Sequence, residues 1–264
     1  MKVAIVTGAS SGIGAEFARS IRSRSDDEIW LVARREERLK ALAQELGGCR
    51  ILPADLATDA GIGAIKGALR VSTPEVSYLV NAAGFGDFGG YDELSEDKIA
   101  GMIDLNVKAL VLLTHATLPY MKRGGRIIEL GSGSCFTPLP YFNVYASSKA
   151  FVLHYTKALK HEIKKHGVTV TCFCPGWVET EFLGKAAGAG KRTMPKESFF
   201  KPMLDCKRVV DGCMRAADRG RVMYVTNWYT KMQHMLFKIL PDSILTKIWL
   251  SNLEYPEKRQ DDEG

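Results

Sequence analysis

The chain has 264 residues, 46% hydrophobic and 25% charged, an ordinary globular balance with ample material for a core. Its net charge of +6 suits an anionic small ligand such as a phosphorylated cofactor. The charge is too weak, and the basic residues too scattered, to argue for nucleic acid. Six cysteines (Cys49, Cys135, Cys172, Cys174, Cys206 and Cys213) form no C-x-x-C pair and none lies near a histidine at ligand spacing, so no metal site is expected. Met1 leads directly into an apolar run with no basic leader, and no stretch approaches the ~18 consecutive apolar residues of a membrane span. Reduced thiols in a cytoplasmic protein are the expectation.

Short β-branched runs occur at 3–7, 29–33, 49–54, 76–82, 126–131, 168–173 and 222–226, with amphipathic helical patterns between them. Near-continuous apolar strands that alternate with helices predict an α/β fold: one doubly wound domain over 1–226, with a parallel sheet of about seven strands covered on both faces.

The first strand runs into TGASSGIG at 7–14. Gly8, Gly12 and Gly14 suit a tight turn and close backbone approach, with Ser10, Ser11 and Ile13 between them. The helix beginning there offers free N–H groups and a positive dipole to a pyrophosphate. The spacing is G-x-x-x-G-x-G, not the G-x-G-x-x-G dinucleotide fingerprint, and such a turn alone also fits an ordinary helix start. The second strand ends in Arg34-Arg35-Glu36-Glu37. An acidic residue at that place would bond a ribose 2′-hydroxyl, whereas an arginine suits a 2′-phosphate. Glu36 and Glu37 fit the first turn of the next helix, but arginines there are disfavoured unless an anion is present. NADP(H) is therefore expected in preference to NAD(H), which stays open; a solvated charge cluster is the alternative. Asp55-Leu56 follows the third strand and Asn81-Ala82-Ala83-Gly84 the fourth, at the strand ends where ligands bind in open sheets. Each alone is equally ordinary turn chemistry.

Asn106 is the odd polar residue in the long helical pattern at 95–118. Ser132 lies just past the fifth strand. Tyr145 and Lys149, in YASSK, are spaced i, i+4 and share one helix face. An ammonium beside a phenol favours the phenolate and lowers its pKa from about 10 toward working pH, as an acid–base group for carbonyl–alcohol interconversion requires. The Ser132 hydroxyl could hold the substrate oxygen. Singly, these residues also read as a surface Tyr–Lys pair, loop filler and a satisfied polar residue.

Together, TGASSGIG, NAAG, Asn106, Ser132, YASSK and PGWVET stand in the order and approximate spacing of the short-chain dehydrogenase/reductases, and the chain resembles that family from residue 1 to about 226. The resemblance implies a Rossmann-type domain and a catalytic tetrad of Asn106, Ser132, Tyr145 and Lys149. In it Tyr145 is the acid–base and Ser132 polarises the substrate oxygen. Lys149 binds nicotinamide ribose and lowers the tyrosine pKa, and Asn106 holds a water. It also implies cofactor contacts from Pro175, Gly176, Val178 and Thr180, the last bonding the nicotinamide carboxamide. Gly131 stands where many members have a first serine. Ser11 occupies a position that is basic in some NADP-dependent members, so cofactor choice rests mainly on Arg34, aided by Arg35.

Phe136, Pro138, Leu139, Pro140, Tyr141 and Phe142 precede Tyr145, and Trp177, Phe182 and Leu183 follow the sixth strand. Such surroundings suit an apolar carbonyl or alcohol, or else are packing beneath a loop. The chain loosely resembles the hydroxysteroid dehydrogenase and ketoacyl reductase branch, which implies steroid-like or bile-acid-like substrates. Fatty-acyl and general carbonyl compounds come next, and an inactive cofactor-sensing regulator is the alternative of another class. Cys172 and Cys174 alternate on a strand and read as core. Residues 177–204, with GKAAGAGK, lack clean periodicity and read as a mobile excursion. Residues 228–250 show helical spacing on either side of Pro241, predicting a helical extension over 227–264 that ends in a charged tail. Its apolar residues predict a cover for the substrate entrance or a contact in a homodimer or homotetramer. Lys231, Lys238 and Lys247 leave open a peripheral membrane contact.

Overall fold

The computed structural model describes residues 1–186, 193–197, 203–237 and 239–255. Most of GKAAGAGK, Lys238 and the charged tail lie outside the described residues.

Seven strands form one parallel sheet: β1 (Lys2–Thr7), β2 (Glu28–Ala33), β3 (Cys49–Pro53), β4 (Glu75–Asn81), β5 (Met121–Leu130), β6 (Thr169–Cys174) and β8 (Met223–Val225). Their order is β3-β2-β1-β4-β5-β6-β8. The order reverses between β1 and β4, which leaves a crevice at their carboxyl ends. Two-residue periodicity loads both faces. Ala4 and Val6, with Ile29 and Leu31, pack under α1 (Gly12–Arg22), α2 (Glu36–Leu46) and α8 (Cys206–Asp218). Val3 and Ile5, with Trp30 and Val32, meet the other layer: α3 (Asp59–Ser72), α5 (Leu110–Thr117) and α6 (Asn143–Ile163). Strands buried on both faces explain why the runs read as continuously apolar. The predicted strands agree with the observed ones to within a residue, except the fifth. There pairing begins at Met121 opposite Val76, ahead of a register shift, in a stretch with no apolar rhythm.

The pattern at 95–118 forms α4 (Glu96–Ile103), a π-helical turn at Asp104–Ala109, and α5. Glu96–Tyr120 is long and apolar enough to cross a membrane. Here it packs against α3 and α6 with Met102, Leu110 and Leu113 buried. Mid-helix π turns are rare and concentrate at functional sites; this one carries Asn106.

Beyond β6 come α7 (Phe182–Ala186) and β7 (Met194–Pro195). The extension supplies α9 (Trp228–Leu236), α10 (Asp242–Leu250) and β9 (Leu253–Glu254), which pairs antiparallel with β7. Pro241 separates the two helices as expected. It sits at the N-cap of α10, where its φ of −58° and missing donor leave the helix undisturbed. Trp249 and Leu253 are buried in one cluster with Phe88, Phe142 and Tyr145. The Trp249 Nε1–H donates to Pro140 O at 2.7 Å. The extension thus rests on the loop that precedes α6, while Trp228, Met235 and Ile239 face outward.

Trp249→Ala is expected to cost about 3–5 kcal/mol, the range for emptying a buried aromatic site. Ile239→Ala, at a side chain 76% exposed, is expected to stay within about 0.5 kcal/mol. Urea unfolding of the two variants checks the difference.

Candidate active site

At the carboxyl ends of β1 and β4 the crevice is a cleft of ≈ 390 Å³. The glycine turn forms its floor. Gly8 and Gly12 hold φ values of 68° and 54°, in the left-handed region that favours glycine. A Cβ on Gly8 would lie 2.8 Å from Ala82 O, and one on Gly14 only 2.3 Å from Gly8 O. Neither tolerates a side chain without moving the backbone. The α1 N-cap, Ser11, makes no side-chain cap bond, so the first-turn N–H groups stay free to meet an anion. Ser10, Ser11, Gly12, Ile13 and Gly14 all line the cleft.

Arg35, more than Arg34, engages this turn. Its Nε donates to Ser10 Oγ at 3.2 Å, and its Nη2 donates to Ser11 Oγ at 2.6 Å. Its Nη1 donates to Glu181 at 3.0 Å, and Arg38 pairs with the same carboxylate. Arg34 also lines the cleft, but its side chain is 71% exposed and lies 3.7 Å from Asp55. The two adjacent side chains diverge, and sequence alone does not say which one meets the turn. Asp55 uses Oδ1 to accept from Ala57 N at 3.1 Å, and Leu56, Ala82 and Gly84 line the cleft as expected. Asn81 does not line it. Its side chain turns into the core, where Nδ2 donates to Thr114 Oγ1 at 2.9 Å and to Glu129 Oε2 at 3.0 Å. The strand pleat sends the side chain there.

The chemical end is built from β5 and α6. Ser132 caps the short 3₁₀ turn at Gly133–Phe136, accepting from Ser134 N at 3.1 Å. Gly133 N donates to Pro175 O at 2.8 Å, tying this turn to the segment after β6. Tyr145 is hydrogen-bonded to the Ser132 side chain. Its ring stacks on Phe142 at 4.5 Å, and Phe142 stacks in turn on Phe88 at 4.0 Å. Lys149 is 2% exposed, donates from Nζ to Leu130 O at 2.7 Å, and lies 5.6 Å from the Tyr145 ring centre. Asn106 is fully buried and clamps Phe85, accepting from its N at 3.1 Å and donating to its O at 2.9 Å. A Cβ on Gly84 would meet both Asn106 Oδ1 and Lys149 Nζ, so these groups flank one stretch of backbone.

The electrostatics differ from the expectation. Burial pushes the Tyr145 phenol up, and only the Ser132 hydrogen bond pulls it down. Lys149 is itself pulled down to about 8 by burial. Burial of this depth favours the neutral phenol. Pro175, Gly176, Val178 and Thr180 line the same cleft. Of the apolar residues named from sequence, Trp177, Phe182 and Leu183 line it too. Phe142 lies behind Tyr145, and Phe136 packs on His234 at 3.8 Å between ring centres. Glu129 and Glu181 are the residues that sequence reasoning misses. An acidic residue inside RIIELG is the visible signal for the first; nothing local marks the second.

The glycine cradle, the free helix N-terminus and the Arg35–serine cluster have the chemistry to hold the anionic groups of a dinucleotide. A profile of the short chain dehydrogenase family matches residues 2–189. An uncharacterized oxidoreductase of Staphylococcus epidermidis is 36% identical over 182 residues, which span 68% of this chain and 79% of that protein. The inactive hydroxysteroid dehydrogenase-like protein 1 of Homo sapiens is 34% identical over 187 residues, covering 67% of this chain and 56% of that one. A short-chain dehydrogenase from Sphingobium yanoikuyae, solved in complex with NADPH, superposes with a TM-score of 0.78 at 26% identity, covering 100% of both chains. A 7beta-hydroxysteroid dehydrogenase shares the fold with a TM-score of 0.80 at 20% identity, covering 94% of this chain and 96% of that one. Fold and site are those of a nucleotide-dependent oxidoreductase. The chain belongs to the short-chain dehydrogenase/reductase family, whose activity is NAD(P)-dependent.

Tyr145→Phe keeps the ring stack and removes the hydroxyl. Turnover is expected to fall by at least about 100-fold with cofactor affinity within a few-fold of wild type, measured by steady-state rates and cofactor titration. Turnover within tenfold of wild type would overturn the assignment.

Proposed function

We propose that this protein interconverts ketones and secondary alcohols of bulky apolar compounds, using NADP(H) in preference to NAD(H). The observation that carries the cofactor reading is the Arg35 guanidinium held against the Ser10 and Ser11 hydroxyls at the end of β2. A guanidinium with hydroxyls beside it matches a 2′-phosphate through charge-assisted hydrogen bonds. Arg34 stands one residue away, on the cleft wall.

NADPH, when bound, would supply a hydride to the carbonyl carbon. Ser132 holds the substrate oxygen, and the Tyr145 hydroxyl donates its proton to that oxygen as negative charge builds there. Lys149 places an ammonium behind both groups, which favours the phenolate left after proton transfer. In the oxidative direction the phenolate takes the alcohol proton. Phe85, Trp177, Phe182 and Leu183 surround this point on the cleft wall. They offer an apolar surface with one polar focus, as a steroid-like or bile-acid-like ketone requires. Together with the paired Ser132, Tyr145 and Lys149, this favours a working enzyme over a cofactor-sensing regulator.

The test is NADPH oxidation against a ketone panel. Bulky apolar ketones are expected to exceed small polar ones by about tenfold or more in kcat/KM, the scale of a few buried methylenes. NADPH is expected to exceed NADH by roughly 10–100-fold, the worth of one or two charged hydrogen bonds. Arg35→Asp should erase that preference. Equal efficiency with both cofactors in the wild-type protein would overturn the NADP reading.

A further inference from the structure

At the end of β2 the Arg35 guanidinium is shared between two kinds of partner. Its Nε and Nη2 donate to the Ser10 and Ser11 hydroxyls, and its Nη1 donates to Glu181 Oε2 at 3.0 Å. Arg38, three residues on in α2, pairs with the other oxygen of the same carboxylate. Both serine oxygens accept from Arg35, so each keeps its own hydrogen for an incoming acceptor. Glu181 is the opposite case, an acceptor-only anion seated on both arginines.

Other carboxylates at this end of the cleft are engaged elsewhere. Asp55 lies 3.7 Å from Arg34 and accepts from Ala57 N at 3.1 Å. Glu36 and Glu37 pair with Lys40 at 3.1 and 2.9 Å. Glu181 reaches the arginines from far along the chain because the backbone before it is pinned. Val178 bridges to Leu204, Glu179 N donates to Leu204 O at 3.0 Å, and Thr180 crosses over Gly12. The chain is thereby led across the glycine turn, and the next residue falls opposite the β2 end.

Charge decides what this arrangement does to a nucleotide. Arg35 and Arg38 bring one positive charge each, and Glu181 offsets one of them. A phosphomonoester carries about −1.5 to −2 at pH 7. Bringing it to Arg35 sets two anions on one pair of cations, whereas an uncharged 2′-hydroxyl disturbs neither pair. We propose that Glu181 is a specificity-determining residue for the cofactor. Its carboxylate competes with a ribose 2′-phosphate for Arg35 and Arg38, and holds the preference for the phosphorylated nucleotide below what the arginines alone would give. The proposal rests on the reading of Arg35 as the 2′-phosphate partner. All three side chains are partly exposed, so both pairs are weak and open to exchange with an anion from solvent. Glu181 therefore tunes the preference and does not abolish it.

Calorimetric titration of the full chain with 2′,5′-ADP and with 5′-AMP isolates the contribution of the 2′-phosphate without turnover. Glu181→Gln keeps the shape and removes the charge. Its affinity for 2′,5′-ADP is expected to rise at least about fivefold, the scale of an exposed ion pair, with 5′-AMP affinity within about twofold of wild type. The gain should shrink in about 1 M NaCl, where charges are screened over roughly 3 Å. Most of it should also be lost when Glu181→Gln is made on an Arg35→Gln background. No gain for 2′,5′-ADP, an equal gain for both nucleotides, or a gain undiminished by salt or by Arg35→Gln would sink the proposal. The reading beneath it fails separately, if Arg35→Gln alone leaves the ratio of the two affinities unchanged. If Arg35→Gln lowers that ratio and Glu181→Gln does not raise it, the competition alone is ruled out.

Discussion

The 2.7 Å hydrogen bond from Lys149 Nζ to Leu130 O ties the middle of α6 to the end of β5, and the site is organised around it. A lysine with almost no exposure needs an acceptor, and β5, whose pairing with β4 stops at Glu129, has the Leu130 carbonyl to offer. Because α6 is docked there, Tyr145 one turn earlier is brought within reach of Ser132, which sits two residues beyond Leu130. Burial keeps this arrangement rigid. It also pulls the lysine pKa down and pushes the tyrosine up, so the same constraint that positions the groups works against their charge.

The rest of the core serves that junction. The strand order reverses between β1 and β4, and there the glycine turn after β1 packs directly against the Ala82–Gly84 backbone after β4, both lining the cleft. On the far side of the chemical groups, Phe88, Phe142 and Tyr145 form a continuous stack, closed from outside by Trp249 and Leu253 of the extension. The glycine and hydroxyl side of the cleft and the buried aromatic stack meet at Tyr145.

How much of this was legible in the sequence depends on the range of the interaction. Periodicity located the strands and the paired helices of the extension because burial on one face or two leaves a local rhythm. The i, i+4 spacing of Tyr145 and Lys149 put them on one helix face, and their joint pattern with TGASSGIG and NAAG made the family resemblance specific. Side-chain direction at strand ends was not legible. Asn81 read as a cleft residue and proved to point into the core, and of the two arginines Arg35 proved to turn toward the glycine loop. Both outcomes depend on pleat and on partners more than twenty residues away, which no local pattern encodes. The effect of burial on the tyrosine was hidden for the same reason.

The segment after β6 links the two ends of the cleft. Pro175 O accepts from the backbone N–H of Gly133 in the Ser132 turn. A few residues on, the Thr180 methyl would lie 3.2 Å from a Cβ on Gly12, so the segment crosses directly over the glycine turn. Glu181 then reaches Arg35 and Arg38 at the β2 end, while Phe182 lies against Tyr145 with ring centres 5.4 Å apart. From Pro175 to Phe182 this stretch touches the Ser132 turn, the glycine turn, the arginines and the Tyr145 ring. Its irregular sequence follows from that task. A helix or strand presents its side chains on a fixed period, whereas contacts to several separated elements require a backbone that changes direction between them.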